Sequence, residues 1–352
     1  MVIARRSPLA LVVFLFTVSF SNLGLAYFVD TNNMNLAVSW VDIESDQVVL
    51  KRTYNSRSLY QGLFGFGWCS TLETILQIDR AEDVDVPIRM IICGAGTEIE
   101  FDSRGNGFSA SCAHCPDITY EVSKVQDGWR VSANDGEVYD FSEDGYLVGG
   151  VAKNDQEGGL LEFSIDYQFG KPNRVSYSSG ADIFFRFNYG GFVSEVESDD
   201  VLLQYEYRNG DLVSVTEKTG RAHHYAYDDL HNLVSITFPD ETQISFTYNV
   251  WKDWIATATN RNGCVETYSA QAFSRIRYTT SLRGLCDGRI VSSRQYFTGF
   301  SSASAGNQNI SVVARQDNVE VYLRETISPE WQDGRGSLLI VSGSERRLWF
   351  EK

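Results

Sequence analysis

The chain has 352 residues, with 30 Lys and Arg set against 46 Asp and Glu, a formal net charge of −16. A surface that acidic repels phosphate backbones, which excludes nucleic acid as a general partner. Eighteen tyrosines, 21 phenylalanines and 29 glycines against 6 prolines favour β-structure joined by glycine turns.

The N-terminus has the three-part layout of a secretory signal peptide. Arg5 and Arg6 precede an apolar run from Leu9 to Phe20, and small Gly24 and Ala26 mark a cleavage site. The run falls short of the roughly 20 residues that a membrane-spanning helix needs. The expectation is a signal peptide over 1–26 and a mature chain that starts at Tyr27. Loss of Arg5 and Arg6 takes the net charge to about −18. The mature protein is expected to be secreted, periplasmic or at the cell surface, with no membrane insertion after cleavage.

Short alternating runs follow in order, among them "QVVLKRTY", "TEIEFDS", "ITYEVSKV", "LLEFSIDYQF", "LLQYEYRN" and "QISFTYN". Between them stand Asn106-Gly107, Asp127-Gly128, Asp135-Gly136, Asp144-Gly145, Asn209-Gly210, Asn262-Gly263, Asp287-Gly288 and Asp333-Gly334. Such pairs accept the positive φ of tight antiparallel hairpins. No long window keeps a helical period, so the fold class is all-β.

"RTYNSRSLYQGLFGFGW", Arg52 to Trp68, is the most distinctive stretch. Its glycines run G-x-x-G-x-G, not the G-x-G-x-x-G of a dinucleotide loop, and an alternating Leu72/Thr74/Leu76/Ile78 face follows instead of a helix. It therefore reads as structural joinery, with Phe64, Phe66 and Trp68 packed close over glycine backbone and Arg57 as a structural cation.

Other chemistries find weaker support. His114, His223, His224 and His231 lack the spacing of a catalytic or zinc motif. Asp79, Glu82, Asp83 and Asp85 offer a calcium alternative without EF-hand spacing. "CAHC" has C-x-x-C redox spacing, but a strand-like run follows it where a redox motif needs a helix. Six cysteines in an exported chain favour three disulfides, and 15 connectivities are possible. The pairing chosen is Cys69–Cys93, Cys112–Cys115 and Cys264–Cys286. No cofactor or metal is expected.

A repeat emerges when tyrosines are aligned at Tyr139, Tyr189, Tyr207, Tyr227 and Tyr248. Each unit reads as tyrosine, polar turn, then an apolar residue such as Leu212 or Leu233 leading the next strand. A period near 20 suits hairpins that cover one another's apolar faces. These units resemble the YD repeats of RHS-repeat proteins and teneurins. The segment Tyr54, Asn55, Ser56, Arg57, Ser58, then Gly62, Gly65, Gly67 and Trp68, resembles the start of the repeat region in bacterial RHS proteins.

The resemblance implies stacked antiparallel hairpins in an open or partly closed β-ribbon shell; with about five recognisable units and no toxin-like tail in this sequence, a short form that departs from the family's large shells is expected. The resemblance divides the mature chain into an N-terminal β region (27–138), YD repeats (139–270) and a C-terminal β region (271–352). It also implies a non-enzymatic scaffold, a wall or accessory piece of a secreted toxin-delivery or cell-surface assembly. Its partner would be another exported β-protein, or a second copy joined through sheet edges. The alternative is an adhesin-like module that binds surface glycan. N-terminal sequencing of the exported protein should read Tyr27-Phe28-Val29; a chain still beginning at Met1 would contradict the leader.

Overall fold

The computed structural model describes residues 26–30, 34–45, 48–78, 88–93, 97–101, 106–109, 118–153, 159–199, 201–249, 251–252, 254–274, 277–286, 289–299, 308–316, 319–327, 337–342 and 347–351. Its elements are β-strands apart from one 3-10 turn at Thr71–Glu73. The calcium-alternative acids, "CAHC" with His114, and the Asp287-Gly288 and Asp333-Gly334 pairs lie outside the described residues.

Two bodies of sheet divide the chain. Strands β1 (Ala26–Asp30), β2 (Asn35–Glu44), β3 (Val49–Asn55) and β6 (Trp68–Ser70) form a four-stranded antiparallel sheet. Strands β4 (Gln61–Gly62) and β5 (Gly65–Phe66) make a two-stranded hairpin beside it. From β7 (Ile75–Gln77) onward each strand pairs antiparallel with the next, through to Arg347–Glu351, in a strand order that closes as a barrel. This large sheet runs without a break past residues 139 and 271. It also curls back on itself: Ile75 bridges Tyr146, and Leu76 N–H donates to the Gly145 carbonyl at 2.9 Å.

The hairpin turns follow local chemistry. Gly136, Gly145, Gly210 and Gly263 have φ of +98°, +84°, +88° and +77°, the turn conformation that their Asx-Gly pairs favour, while Gly128 opens the strand Gly128–Ala133. Asn106-Gly107 differs. It opens the strand Asn106–Ser109, paired with Glu121 and Tyr120, because neighbouring strands on both sides claim its backbone.

The repeat has a definite physical mark. Each unit has a register shift, directly after which an aromatic residue faces the apolar residue of the next strand: Tyr207 with Leu212, Tyr227 with Leu233, Tyr248 with Ile255. Phe187 with Val193, Tyr167 with Pro172 and Phe141 with Leu147 occupy the same place. Tyr189 and Tyr139 therefore fall out of the series; Tyr189 stands in a turn in full solvent, and Tyr139 pairs with Gly150 before its shift. Tyrosines of the series bond across units: Tyr248 OH donates to Leu233 O at 3.0 Å and Tyr167 OH to Leu147 O at 2.7 Å.

Cys69 is bonded to Cys93 and Cys264 to Cys286, with Cα–Cα separations of 5.7 and 4.4 Å. The second bridge closes the hairpin of Val265–Ser274 and Arg277–Cys286. Replacing Cys264 and Cys286 together by serine should lower stability by about 2–4 kcal/mol. Urea unfolding measures it; an unchanged midpoint would mean that the bridge carries no constraint.

Candidate functional site

The four-stranded sheet lays one face against the aromatic face of the repeats, and at the centre of that contact is a fully buried arginine. Arg52 lies on β3 opposite Trp40 of β2. Register then shifts between Val41 and Ile43, leaving Asp42 as the extra residue of a β-bulge. A bulge re-aims its side chain. Here it brings the Asp42 carboxylate to Arg52 Nε, at 2.8 and 3.0 Å from its two oxygens.

The repeats complete the shell around this pair. Tyr205 OH donates to Asp42 Oδ2 at 3.0 Å, and Arg52 Nη2 donates to Tyr225 OH at 2.8 Å. The guanidinium carbon lies 4.4 Å from the Trp68 ring centroid and 5.3 Å from that of Tyr225, with Trp40 and Tyr205 within 6 Å. Aromatic faces attract a desolvated cation. Removal from water pulls the Arg52 pKa down, but the Asp42 charge and the two tyrosines outweigh it and hold the group above its ordinary value. Burial pushes the Asp42 carboxyl up, against the pull of Arg52 and Tyr205.

A second set of bonds flanks the first. Tyr54 OH donates to His231 O at 3.1 Å and accepts from Leu233 N–H at 2.9 Å. Trp68 Nε1 donates to Tyr227 OH at 2.8 Å. Phe66 N–H donates to Gly210 O, and Val193 N–H to Leu63 O, so the glycine hairpin is seated on the repeat turns. Gly65, at φ +96°, has no room for a side chain: a Cβ would stand 2.7 Å from Gly210 O. At Gly67, φ +74°, it would stand 2.6 Å from the Tyr54 ring.

The rest of the distinctive stretch ties strands within the N-terminal sheet. Asn55 N–H donates to Gly67 O, and Ser56 Oγ accepts from Leu36 N–H. Ser58 Oγ accepts from Tyr60 N–H, and Gly62 packs against the Glu73 carboxylate. Arg57 is exposed, with its backbone N–H donated to Asn35. The structural cation is thus Arg52, because β3 alternation turns residue 52 inward while residue 57 lies beyond the strand.

Glu73 is a further acid, half-buried behind the glycine hairpin. It accepts from Leu63 N–H at 2.6 Å, Ser70 N–H at 2.8 Å and Tyr60 OH at 3.1 Å. Burial pushes it up to about 7 despite these donors. The spacing Ser70-x-x-Glu73 is the sequence signal of a helix-capping acid that reaches back to its cap.

Two of the three described histidines, His231 and His223, serve packing. His231 Nδ1 lies 2.9 Å from Asp211, and its ring stacks on Phe66 at 4.5 Å. His223 packs edge-on against Trp40 at 4.5 Å, and burial holds it down at about 4. His224 is exposed. Among the described residues no group of three or more His, Cys, Asp or Glu could hold a metal ion.

Asp42→Asn should cost about 3–5 kcal/mol by leaving Arg52 buried and uncompensated, whereas Asp42→Leu with Arg52→Met should recover most of that loss. Equal stability of the single and double variants in urea would contradict the junction. The junction also predicts a pH effect. His223 titrates near 4 when folded and near 6.5 when unfolded, so the unfolded chain takes up the proton first. Relative to His223→Phe, the wild type should lose stability as pH falls from 6.5 to 4. Glu73 acts oppositely, gaining from about 7 down to 4.5, so the comparison must be made between variants. Parallel stability profiles for the two proteins would contradict a buried neutral His223.

Residues 35–101 match a domain of unknown function (DUF6531), and residues 205–243 match the RHS Repeat family. A curated relative, the probable deoxyribonuclease RhsA of Dickeya dadantii (strain 3937), is 25% identical over 255 residues, covering 68% of this chain and 16% of that protein. The crystal structure of TcdB2-TccC3 is similar with TM-score 0.33 and 11% identity, over 90% of this chain and 22% of that one. The form without its hypervariable C-terminal region gives 0.28 and 10%, over 93% and 21%. The chain thus spans about a sixth of the curated relative it matches. The two family matches fall on the two partners of the Arg52 junction, and the segment that supplies Tyr205 and Tyr225 matches an RHS repeat.

Proposed function

We propose that this chain is a non-enzymatic wall component of an exported assembly, in which the N-terminal sheet covers and locks the aromatic face of the repeat ribbon. The observation that carries this reading is the Arg52–Asp42–Tyr205–Tyr225 cluster: its polar side chains are turned on one another and shut from solvent, as suits a joint. Two disulfides suit an oxidising compartment outside the cytosol. The relative's name includes a nuclease, but a chain at −16 opposes a DNA backbone, so that activity is not carried over. The partner proposed is another exported β-protein or a second copy.

One observation favours a second reading, an adhesin-like module. An open depression on the ribbon is lined by Phe184, Arg186, Glu197, Gln168 and Asn173, and it combines an exposed ring with polar groups in the way a sugar-binding surface does. Affinity capture of the tagged mature protein from culture supernatant and envelope separates the two. A single exported partner at fixed stoichiometry supports the wall. Retention on a glycan column that Phe184→Ala abolishes, with no protein partner, supports the adhesin. DNA cleavage by the purified chain would overturn both.

A further inference from the structure

The tripeptide Arg-Asn-Gly occurs twice in this chain, as Arg208-Asn209-Gly210 and Arg261-Asn262-Gly263, and a third Asn-Gly pair stands at Asn106-Gly107. In such a pair the next backbone nitrogen reaches the asparagine side-chain amide freely, because glycine brings no Cβ into the approach. Identical local sequence gives the two tripeptides the same intrinsic chemistry. The fold decides which of them can use it.

The first copy is clamped from outside its turn. Phe66 N–H donates to Gly210 O at 2.9 Å, and the Gln61 side chain lies over Gly210, where a Cβ would stand 2.4 Å from Gln61 Nε2. Attack by the Gly210 nitrogen requires the Asn209-Gly210 peptide to rotate, which drags Gly210 away from the glycine hairpin seated on it. Asn106-Gly107 is held differently. Both residues lie in a strand, paired with Glu121 and Tyr120 on one side, and Gly107 is paired with Phe101 on the other. Ladder bonds from two neighbours fix that backbone.

The second copy has no such cover. Asn262 and Gly263 are exposed, and a Cβ built on Gly263 would meet no atom within 4 Å. The restraints on this turn are its own. Gly263 N–H donates to Asn260 O at 2.9 Å, and Asn260 Oδ1 accepts from Asn262 N–H and Cys264 N–H, both at 3.0 Å. Bonds inside a solvent-exposed turn open at lower free energy than bonds that hold two bodies of sheet together. Once the bond to Asn260 opens, the Gly263 nitrogen is free to turn toward the Asn262 side chain.

We propose that Asn262 is a site of spontaneous modification to isoaspartate and aspartate, and that the glycine hairpin spares Asn209 from the same reaction. The Gly263 backbone nitrogen, its proton taken by solvent base, attacks Asn262 Cγ. A C–N bond forms, and the side-chain nitrogen leaves as ammonia. Water then opens the resulting succinimide ring at either carbonyl. One opening gives aspartate; the other reroutes the main chain through Cβ and Cγ and gives isoaspartate. Each product adds one negative charge to a chain at −16. Isoaspartate also lengthens the main chain by one carbon between the strands Trp254–Thr259 and Val265–Ser274. The proposal rests on the seating of the hairpin and is independent of the wall reading.

The test is incubation of the purified mature protein at mildly alkaline pH, followed by peptide mapping in the mass spectrometer and methyltransferase labelling of isoaspartate. In the folded protein Asn262 should convert at least about tenfold faster than Asn209 and Asn106. In urea, with disulfides left intact, Asn209 and Asn262 should convert at similar rates. Asn262→Gln should remove the fast labelling. Conversion of Asn209 as fast as that of Asn262 in the folded protein would overturn the proposal. So would a preference for Asn262 that persists unchanged in urea, because the fold would then not set it, and so would fast labelling that survives Asn262→Gln.

Discussion

A guanidinium with no access to water must have its charge answered by the protein, and the arrangement around Arg52 follows from that demand. Asp42 answers it from the same sheet through a bulge, while Tyr205 and Tyr225 answer it from the repeats. Such a pair contributes little compared with apolar packing, because desolvation offsets most of the attraction. Breaking it is costly, however. Every placement of the sheet on the ribbon that moves this pair away from Tyr205 and Tyr225 takes their hydrogen bonds from a charge pair still out of water, so the pair favours one docking register. The apolar contact of Trp40, Trp68 and Tyr54 with the same repeat strands supplies the burial that makes the register worth holding.

The interleaving also explains the glycine stretch. Hydrogen bonds from β5 and to Leu63 seat the hairpin on two repeat turns, and this requires backbone where side chains would otherwise stand. Glu73 then fixes that hairpin from behind through Leu63 and Tyr60. Sheet, hairpin and repeats therefore form a continuous chain of contacts from residue 34 to residue 255, where Ile255 N–H meets the Met34 carbonyl.

Local chemistry made much of this legible in the sequence. Alternation along "LLQYEYRN" and "QISFTYN" and the Asx-Gly turns are properties of a few neighbouring residues, and they specify strands and hairpins directly. The repeat was legible where tyrosine itself recurs, at Tyr207, Tyr227 and Tyr248. It slipped by two residues at Tyr189 and Tyr139, because the position demands an inward aromatic ring and not a hydroxyl, and Phe187 and Phe141 fill it. The junction was not legible. Arg52 meets Tyr225 across 173 residues, and the bulge that delivers Asp42 leaves no mark in the alternation of "AVSWVDIE". Arg57, closer to the glycines, looked the better cation only because the inward phase of β3 was unknown.

The central claim is that the N-terminal sheet and the repeats are one cooperative unit joined at Arg52. Native-state hydrogen exchange of Arg52→Met tests it most directly, because the substitution touches a residue of β3 alone. The account predicts faster exchange both in Asn35–Asn55 and in the repeat strands Val201–Arg208 and Ala222–Tyr227, with matching changes in opening free energy. Faster exchange confined to the N-terminal sheet, with the repeat strands as protected as in the wild type, would contradict it.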